Sequence, residues 1–358
     1  MTSIPEVDWG RSGRVDSYEC RLVDPFTLAD RGGVAIDARS SGVTWARGTD
    51  TQCSATVAVL DDLAKDSMLR ILHTARVGGE EFTEAMGTFF AKSKSMKALH
   101  GRASRSMDCY SSLLRLSDDY LQQSHSYAPG DNVSAIIREV VEATGGILSL
   151  GPGAPTDRVH TMDMHWEAGV NKLEMVSKLA GWIGGELTAA DEGEVELSAY
   201  VPPSQRPLSW TFEAGRNCVY RPGFTTSEDE GEAYNKAVFY TSTDESSESV
   251  NAVLSPSHPF SYERIGRNVT YVERVGEAAS REELQAMASG YLEEHCGGSP
   301  YYEIEHAGIP WLRPGMVVRY INGADYAAPV DARCLVTEMA VDSLAPMCMT
   351  KTKMRWIS

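Results

Sequence analysis

Four of the five carboxylates in the stretch GWIGGELTAADEGEVELSAY, residues 181–200, namely Glu186, Asp191, Glu192 and Glu194, crowd around Gly184, Gly185 and Gly193. Carboxylates this close together could hold a divalent cation, or divide the roles of proton donor and acceptor. A calcium loop, however, needs oxygen ligands at regular offsets, as in D-x-D-x-D-G, and here the two turn acids are simply adjacent. The residues on either side explain the stretch differently. Leu187 and Ala189 alternate with polar neighbours before Asp191-Glu192-Gly193, and Val195, Leu197 and Ala199 alternate after it. A period of two on both sides of a glycine predicts a β-hairpin, with Gly193 supplying the positive φ of a tight turn. Asp191 and Glu192 are then expected in a solvated turn, with no tuning of their acidity. The stretch reads as architecture.

The remaining chemistry-bearing residues converge no better. His160 and His165, with Asp163 between them, could ligate a metal, but nothing nearby completes the set. GGILSLGPGAP is glycine-rich, yet it follows a helical pattern and lacks the lysine of a phosphate cradle. G-x-S-x-G, H-E-x-x-H, G-x-x-x-x-G-K-[ST] and a G-x-G-x-x-G after a strand are all missing. His258, before Pro259, has the setting of a loop histidine. Trp166, Trp182, Trp210 and Trp311 are spread singly through apolar contexts, as core residues are, and form no sugar-binding platform in sequence. No catalytic, cofactor-binding or metal-ligating residue is therefore expected, no cofactor is implied, and the chain is expected not to be an enzyme.

The totals agree with a folded, non-catalytic part. The chain has 358 residues, 42% of them hydrophobic and 23% charged, enough for about two to three domains with their own cores. Fifty acidic residues against thirty-three basic ones give a net charge of −17. Such a surface repels nucleic acid and anionic membranes and favours solubility. Seven scattered cysteines with no C-x-x-C pair argue against zinc and against a disulfide framework. They are expected as small buried hydrophobes in a protein made in a reducing cytoplasm. MTSIPEVDWGRSGRVD has no apolar stretch for an export signal, and no run reaches the ~18 residues that span a bilayer.

Stepping along the chain, the first hundred residues read as strands: QCSATVAVL, MLRILHTARV, EFTEAMGTFFAKS and KALHGRAS, with Cys53, Ala55, Val57 and Val59 on one face of the first. DCYSSLLRLSDDYL, residues 108–121, reads as a short helix. APGDNVSAIIREVVEATGG predicts a helix capped by Asp131, with Val133, Ile136, Ile137, Val140 and Val141 inward and Gly145 as its stop. NKLEMVSKLAGWIGG predicts a second, with Leu173, Val176, Leu179, Ala180 and Ile183 on one stripe. Strands resume at SWTFEAG and AYNKAVFYTST, separated and followed by the acidic loops TTSEDEGE and STDESSESVN. SPSHPFSYERIGRN reads as a polar link, too polar for the core. Ser280 and Glu283 form an S-x-x-E capping box for a helix whose inner face is Leu284, Met287, Ala288, Tyr291 and Leu292. YYEIEHA, GMVVRYI, ARCLVTEMAVDSL and MCMTKTKMRWI close the chain as strands, with Pro314-Gly315 turning into the second of these.

The order of these pieces resembles the tail hub family of tailed phages, which covers baseplate hubs and the N-terminal hub region of siphophage tail-tip, tail-associated lysin-like proteins. The passages that carry the resemblance lie in order over roughly residues 120–320: APGDNVSAIIREVVEATGG, NKLEMVSKLAGWIGGELTAADEGEVEL, AYNKAVFY, SPSHPFSYERIGRN, SREELQAMASGYLEEH and IPWLRPGMVVRY. The resemblance implies a mainly β fold with α+β insertions: two tail-tube-like β-barrels plus smaller α+β domains. Residues 1–118 would form the first barrel, completed by about 205–232. Residues 119–204 would form an α+β domain of two helices and a hairpin. Residues 233–358 would form the second barrel, with a helical insertion at about 280–295. No sequence repeat links the two barrels.

The same resemblance implies a homotrimer that closes the tail tube. Three chains with two barrels each would present six positions to the ring above, adapting six-fold to three-fold symmetry around a channel for DNA. DNA would pass without specific binding. The implied partners are a distal tail protein or tail-tube ring, the tape measure protein and tip or fibre proteins. The implied location is the virion tail tip, after assembly in the host cytoplasm without membrane insertion. Siphophage relatives often continue into a peptidase or muramidase region. This sequence reaches Ser358 just after the last hub strands, so wall-degrading activity is expected from another protein. The competing expectation is a cell-wall-degrading or carbohydrate-binding tail-tip protein.

Overall fold

The computed structural model of the chain describes residues 9, 13–64, 67–99, 102–160, 163–214, 218–221, 223–228, 233–242, 247–275, 280–323 and 329–357, with backbone only at 97–99, 102–104, 228, 242 and 247. Seven strands come first: β1 (Val15–Val23), β2 (Asp30–Val34), β3 (Gly42–Ala46), β4 (Cys53–Val59), β5 (Met68–Val77), β6 (Glu80–Leu99) and β7 (Arg102–Tyr110). The alternation in β4 does what its period requires, burying Cys53, Ala55, Val57 and Val59. Two sequence expectations change here. EFTEAMGTFFAKS and the start of KALHGRAS are one continuous strand of twenty residues, β6, and the rest of KALHGRAS begins β7. Residues 88–99 hold no glycine, proline, asparagine or aspartate that would turn the chain, and a register shift between Ala91 and Ser93 absorbs the twist. Asp108–Tyr110 is strand too, because Met107 and Cys109 are buried at alternating positions; the helix expected there shrinks to α1 (Leu114–Ser117).

The middle of the chain comprises β8 (His125–Tyr127), α2 (Val133–Ala143), β9 (Leu148–Leu150), β10 (Met164–Trp166), α3 (Lys172–Trp182), β11 (Gly185–Ala189) and β12 (Val195–Ala199). Both long helices bury the stripes their spacing predicts, from Val133 to Val141 and from Leu173 to Ile183. The cap of α2 is one residue later than expected. Asn132 accepts from the Ala135 amide at 2.9 Å, while Asp131 turns back to accept from the Ala128 amide at 2.9 Å. β11 and β12 form the expected hairpin, and Gly193 holds φ at +107° in its turn. β9 joins β12 in parallel, and these strands with α1–α3 enclose one apolar core.

The rest comprises β13 (Leu208–Glu213), β14 (Thr225–Glu228), β15 (Lys236–Ser242), β16 (Ser247–Val253), α4 (Tyr262–Ile265), β17 (Thr270–Arg274), α5 (Arg281–His295), β18 (Pro300–Ala307), β19 (Val317–Asn322), β20 (Val330–Val341) and β21 (Met349–Trp356). Ser280 and Glu283 complete both halves of the capping box of α5. This helix packs on the small sheet β16–β15–β17, burying Leu284, Ala288 and Leu292 against Ala237, Phe239 and Val250. The link expected to be too polar for the core contributes to it instead. Phe260 and Ser261 are buried, Ser261 because its hydroxyl donates to the Pro256 carbonyl at 3.1 Å.

The fold is mainly β. A thirteen-stranded sheet runs β14–β18–β21–β20–β3–β4–β7–β6–β5–β1–β2, with β19 and then β13 branching from β20. Strands from the two ends of the chain meet where β20 pairs with β3, Met339 opposite Trp45 and Val341 opposite Val43. One core spans that seam, joining Trp45, Phe89 and Met107 to Tyr320, Val336 and Met354. Strands from both ends of the chain build this core.

Candidate functional site

The acidic stretch that first suggested chemistry lies where the hairpin meets the large sheet. Its turn is docked there, contrary to the solvated turn expected. Arg313 Nε donates to Asp191 Oδ2 at 2.9 Å, and its Nη2 donates to the Ala85 carbonyl at 2.6 Å. The same guanidinium lies 5.1 Å from the Trp45 ring centroid. Thr88 donates to the Asp191 carbonyl at 2.8 Å, and Arg70 donates to the Glu192 carbonyl at 2.6 Å. Gln52 grips the β11 backbone with both ends of its amide, donating to the Leu187 carbonyl at 3.0 Å and accepting from the Ala189 amide at 3.2 Å. A Cβ on Gly193 would come within 3.0 Å of Leu28 and 3.1 Å of Thr88. Glycine is thus fixed here by the approach of the sheet as well as by φ.

A second charged joint links three elements. Arg47, after β3, pairs with Glu186 of β11 and lies 3.3 Å from Glu294 of α5. Arg206 donates to Glu294 at 2.9 Å, to the Val201 carbonyl at 2.7 Å and to the Gly315 carbonyl at 2.8 Å. Burial works against the charge on Arg47, but the Glu294 and Glu186 carboxylates outweigh it and hold the guanidinium firmly protonated. A third joint is Arg355, only 1% exposed, which donates to the Glu293 carbonyl at 2.5 Å. It adds a guanidinium donor at the C-terminus of α5, where His295 Nδ1 already lies 3.0 Å from the Tyr291 carbonyl.

Between hairpin and sheet lies a cavity of about 350 Å³ lined by residues including Trp45, Gln52, Thr88, Asp191, Glu196 and Arg313. Burial raises the Glu196 carboxyl above its ordinary range, helped by Glu194 and Asp191. A raised acid beside a second carboxyl group is the arrangement general acid–base catalysis uses. Here, however, Asp191 is committed to Arg313. Among the described residues no group of three His, Cys, Asp or Glu side chains is placed to hold a metal ion.

The other weighed residues are scattered. His160 is buried in the α2 module, where burial lowers its basicity, whereas His165 is on β10 with Nδ1 2.9 Å from the Ser126 hydroxyl. His258 accepts the Phe260 amide at 3.1 Å within its loop. The tryptophans are not single: Trp166 stacks on Trp182 at 5.7 Å, and Trp311 meets Trp210 at 6.0 Å and Trp9 at 4.8 Å. They form internal pairs that close module seams. The joint arginines went unremarked in the sequence. The available signal was a lone arginine inside an apolar run, Arg313 in IPWLRPGM and Arg47 in VTWARG.

No protein-family model and no curated protein matches the chain. Solved structures do. A tail protein from Neisseria meningitidis MC58 matches with a TM-score of 0.65 at 12% identity, over 95% of this chain and 96% of that one. The 43 kDa tail protein of prophage MuSo2 from Shewanella oneidensis matches with a TM-score of 0.60 at 12% identity, over 95% and 98%. The E. coli c3393 protein, described as a type VI secretion component similar to T4 tail proteins gp27 and gp5, matches with a TM-score of 0.52 at 11% identity, over 95% and 77%. From its first strands to its last, this chain has the fold of these phage tail proteins.

Proposed function

We propose that the chain is a structural component of a phage tail tip or baseplate, the hub that closes the tail tube. The observation that carries this reading is the match in fold to phage tail proteins over nearly the full length of both chains. Three copies surround a channel for DNA and adapt the six-fold tube to a three-fold tip, each copy contributing two tube-like units. Residues 1–118 with about 205–232 make the first unit, residues 233–358 the second, and residues 119–204 the α+β domain beside them. The distal tail protein or tube ring lies above, with the tape measure protein and tip or fibre proteins as further neighbours. The acidic excess faces the channel, where it offers a DNA polyanion no counterion-releasing contacts. The chain works as a load-bearing part without catalysis, and its charged residues support that: Asp191, Glu186 and Glu294 are spent on holding modules together.

Antibody labelling of intact virions from the encoding phage tests the reading. Label confined to the distal end of the tail is expected. Label along the whole tail, or none on virions, would overturn it.

A further inference from the structure

The large sheet carries two open edges of opposite charge. Among the described residues, β6 from Ser93 to Leu99 pairs with β7 alone, since β5 leaves it at Phe90; β7 in turn loses β4 beyond Arg105. The end of this hairpin is a two-stranded ribbon, a form that is marginal in water without a further partner. Residues 92–105 hold five Lys or Arg (Lys92, Lys94, Lys97, Arg102 and Arg105) and no Asp or Glu, in a chain of net charge −17. Met96 is 65% exposed on it. At the far end of the same sheet, β14 pairs with β18 alone among the described residues and exposes Thr225, Thr226 and Ser227. Glu228 lies on β14, Glu303 is exposed opposite Thr225, and the sequence continues Asp229-Glu230-Gly231-Glu232.

We infer that the basic β6–β7 ribbon of one copy seats against the acidic β14 edge of a neighbouring copy of this chain. The inference rests on the hub reading, in which copies assemble, and names the surfaces that meet. Two copies at −17 repel over most of their surfaces, so self-association needs a local exception, and the ribbon is a concentrated one. The two edges are different patches of one molecule. The contact is therefore head-to-tail, the type that makes a ring where its rotation closes and a filament where it does not. Lysines along an open edge also resist indiscriminate strand pairing, which leaves an acidic edge as the suited partner. Nucleic acid is the less suited occupant, because an apolar Met96, 65% exposed, sits among the basic residues.

A charge exchange tests this with the full chain, by sedimentation velocity at low and high salt. Lys97→Glu with Arg102→Glu is expected to weaken self-association about tenfold or more, and Glu228→Lys with Glu303→Lys to do the same. In an equimolar mixture every contact between unlike variants is charge-matched, so association recovers in part, and the chain carrying all four changes restores it in full. Unchanged melting temperatures confirm that each variant folds. Association indifferent to both reversals overturns the contact while leaving a hub assembled through other surfaces. A wild-type chain that stays monomeric at every concentration also overturns it, and virion labelling still decides the hub reading separately. Retardation of duplex DNA that only the ribbon reversal abolishes would assign the ribbon to nucleic acid instead.

Discussion

At the scale of single residues, partnership decides what each ionisable group does. His306 is fully buried, with Nε2 2.8 Å from the Thr352 hydroxyl and Nδ1 2.7 Å from the Ala307 carbonyl, and burial lowers its pKa to about 4. The unfolded chain binds that proton near pH 6.5, so the folded state loses stability as pH falls from there through about 4. The contribution at stake is about 3 kcal/mol. Urea unfolding at pH 7 and pH 4.5 should show the loss, and His306→Gln should flatten it; an equally steep pH dependence in the variant would assign it to other groups. Asp191 and Glu192 now part company. Glu192→Gln should change stability by less than about 0.5 kcal/mol, its carboxylate being 57% exposed, whereas Asp191→Asn should cost about 1 kcal/mol through Arg313. Equal, negligible effects in denaturant titrations would return the turn to solvent.

At the scale of elements, the hairpin and α5 are held by reciprocal grips. Gly193→Val combines a β-branched residue at positive φ with contact against Leu28 and Thr88. It should destabilise by about 2–3 kcal/mol, and thermal unfolding within about 0.5 kcal/mol of the wild type would mean that the turn sits elsewhere. Arg47→Met removes the cation shared by Glu186 and Glu294, each roughly four-fifths buried, and leaves Arg206 as their remaining counter-charge. The expected cost is about 2 kcal/mol, below that of a fully buried pair because the site is partly solvated. Limited proteolysis should then cut between the hairpin module and the large sheet faster than in the wild type. An unchanged cleavage pattern would show that the apolar seam alone holds them.

At the scale of the whole molecule, β20 pairing with β3 makes the two ends of the chain one mechanical body. That suits the load-bearing role proposed above. The purified chain should clear neither peptidoglycan nor peptides, because Asp191, the carboxylate beside Glu196 in the cavity, is engaged by Arg313. Zymography on whole cell walls checks this, and a clearing band that survives repurification would overturn the structural reading. Within an assembled ring, an electrostatic map should find the channel wall acidic; a neutral or basic wall would leave the net charge to solubility.

What the sequence determined by itself was local. The period of α2 and α3, the capping box at Ser280, the hairpin turn at Gly193 and the alternation in β4 follow from contacts within a few residues, where spacing alone fixes which side chains share a face. The order of those elements was also enough to support a resemblance to phage tail hubs. Only the tertiary structure decided where faces of different elements meet. Asp191 looks solvated in sequence because Arg313 is more than a hundred residues away, and Trp210 looks solitary because Trp9 and Trp311 are too. The length of β6, the burial of Phe260 and the seam between β3 and β20 likewise depend on non-local pairing. Local spacing carries no record of which distant edge or charge will be adjacent once the chain closes its cores.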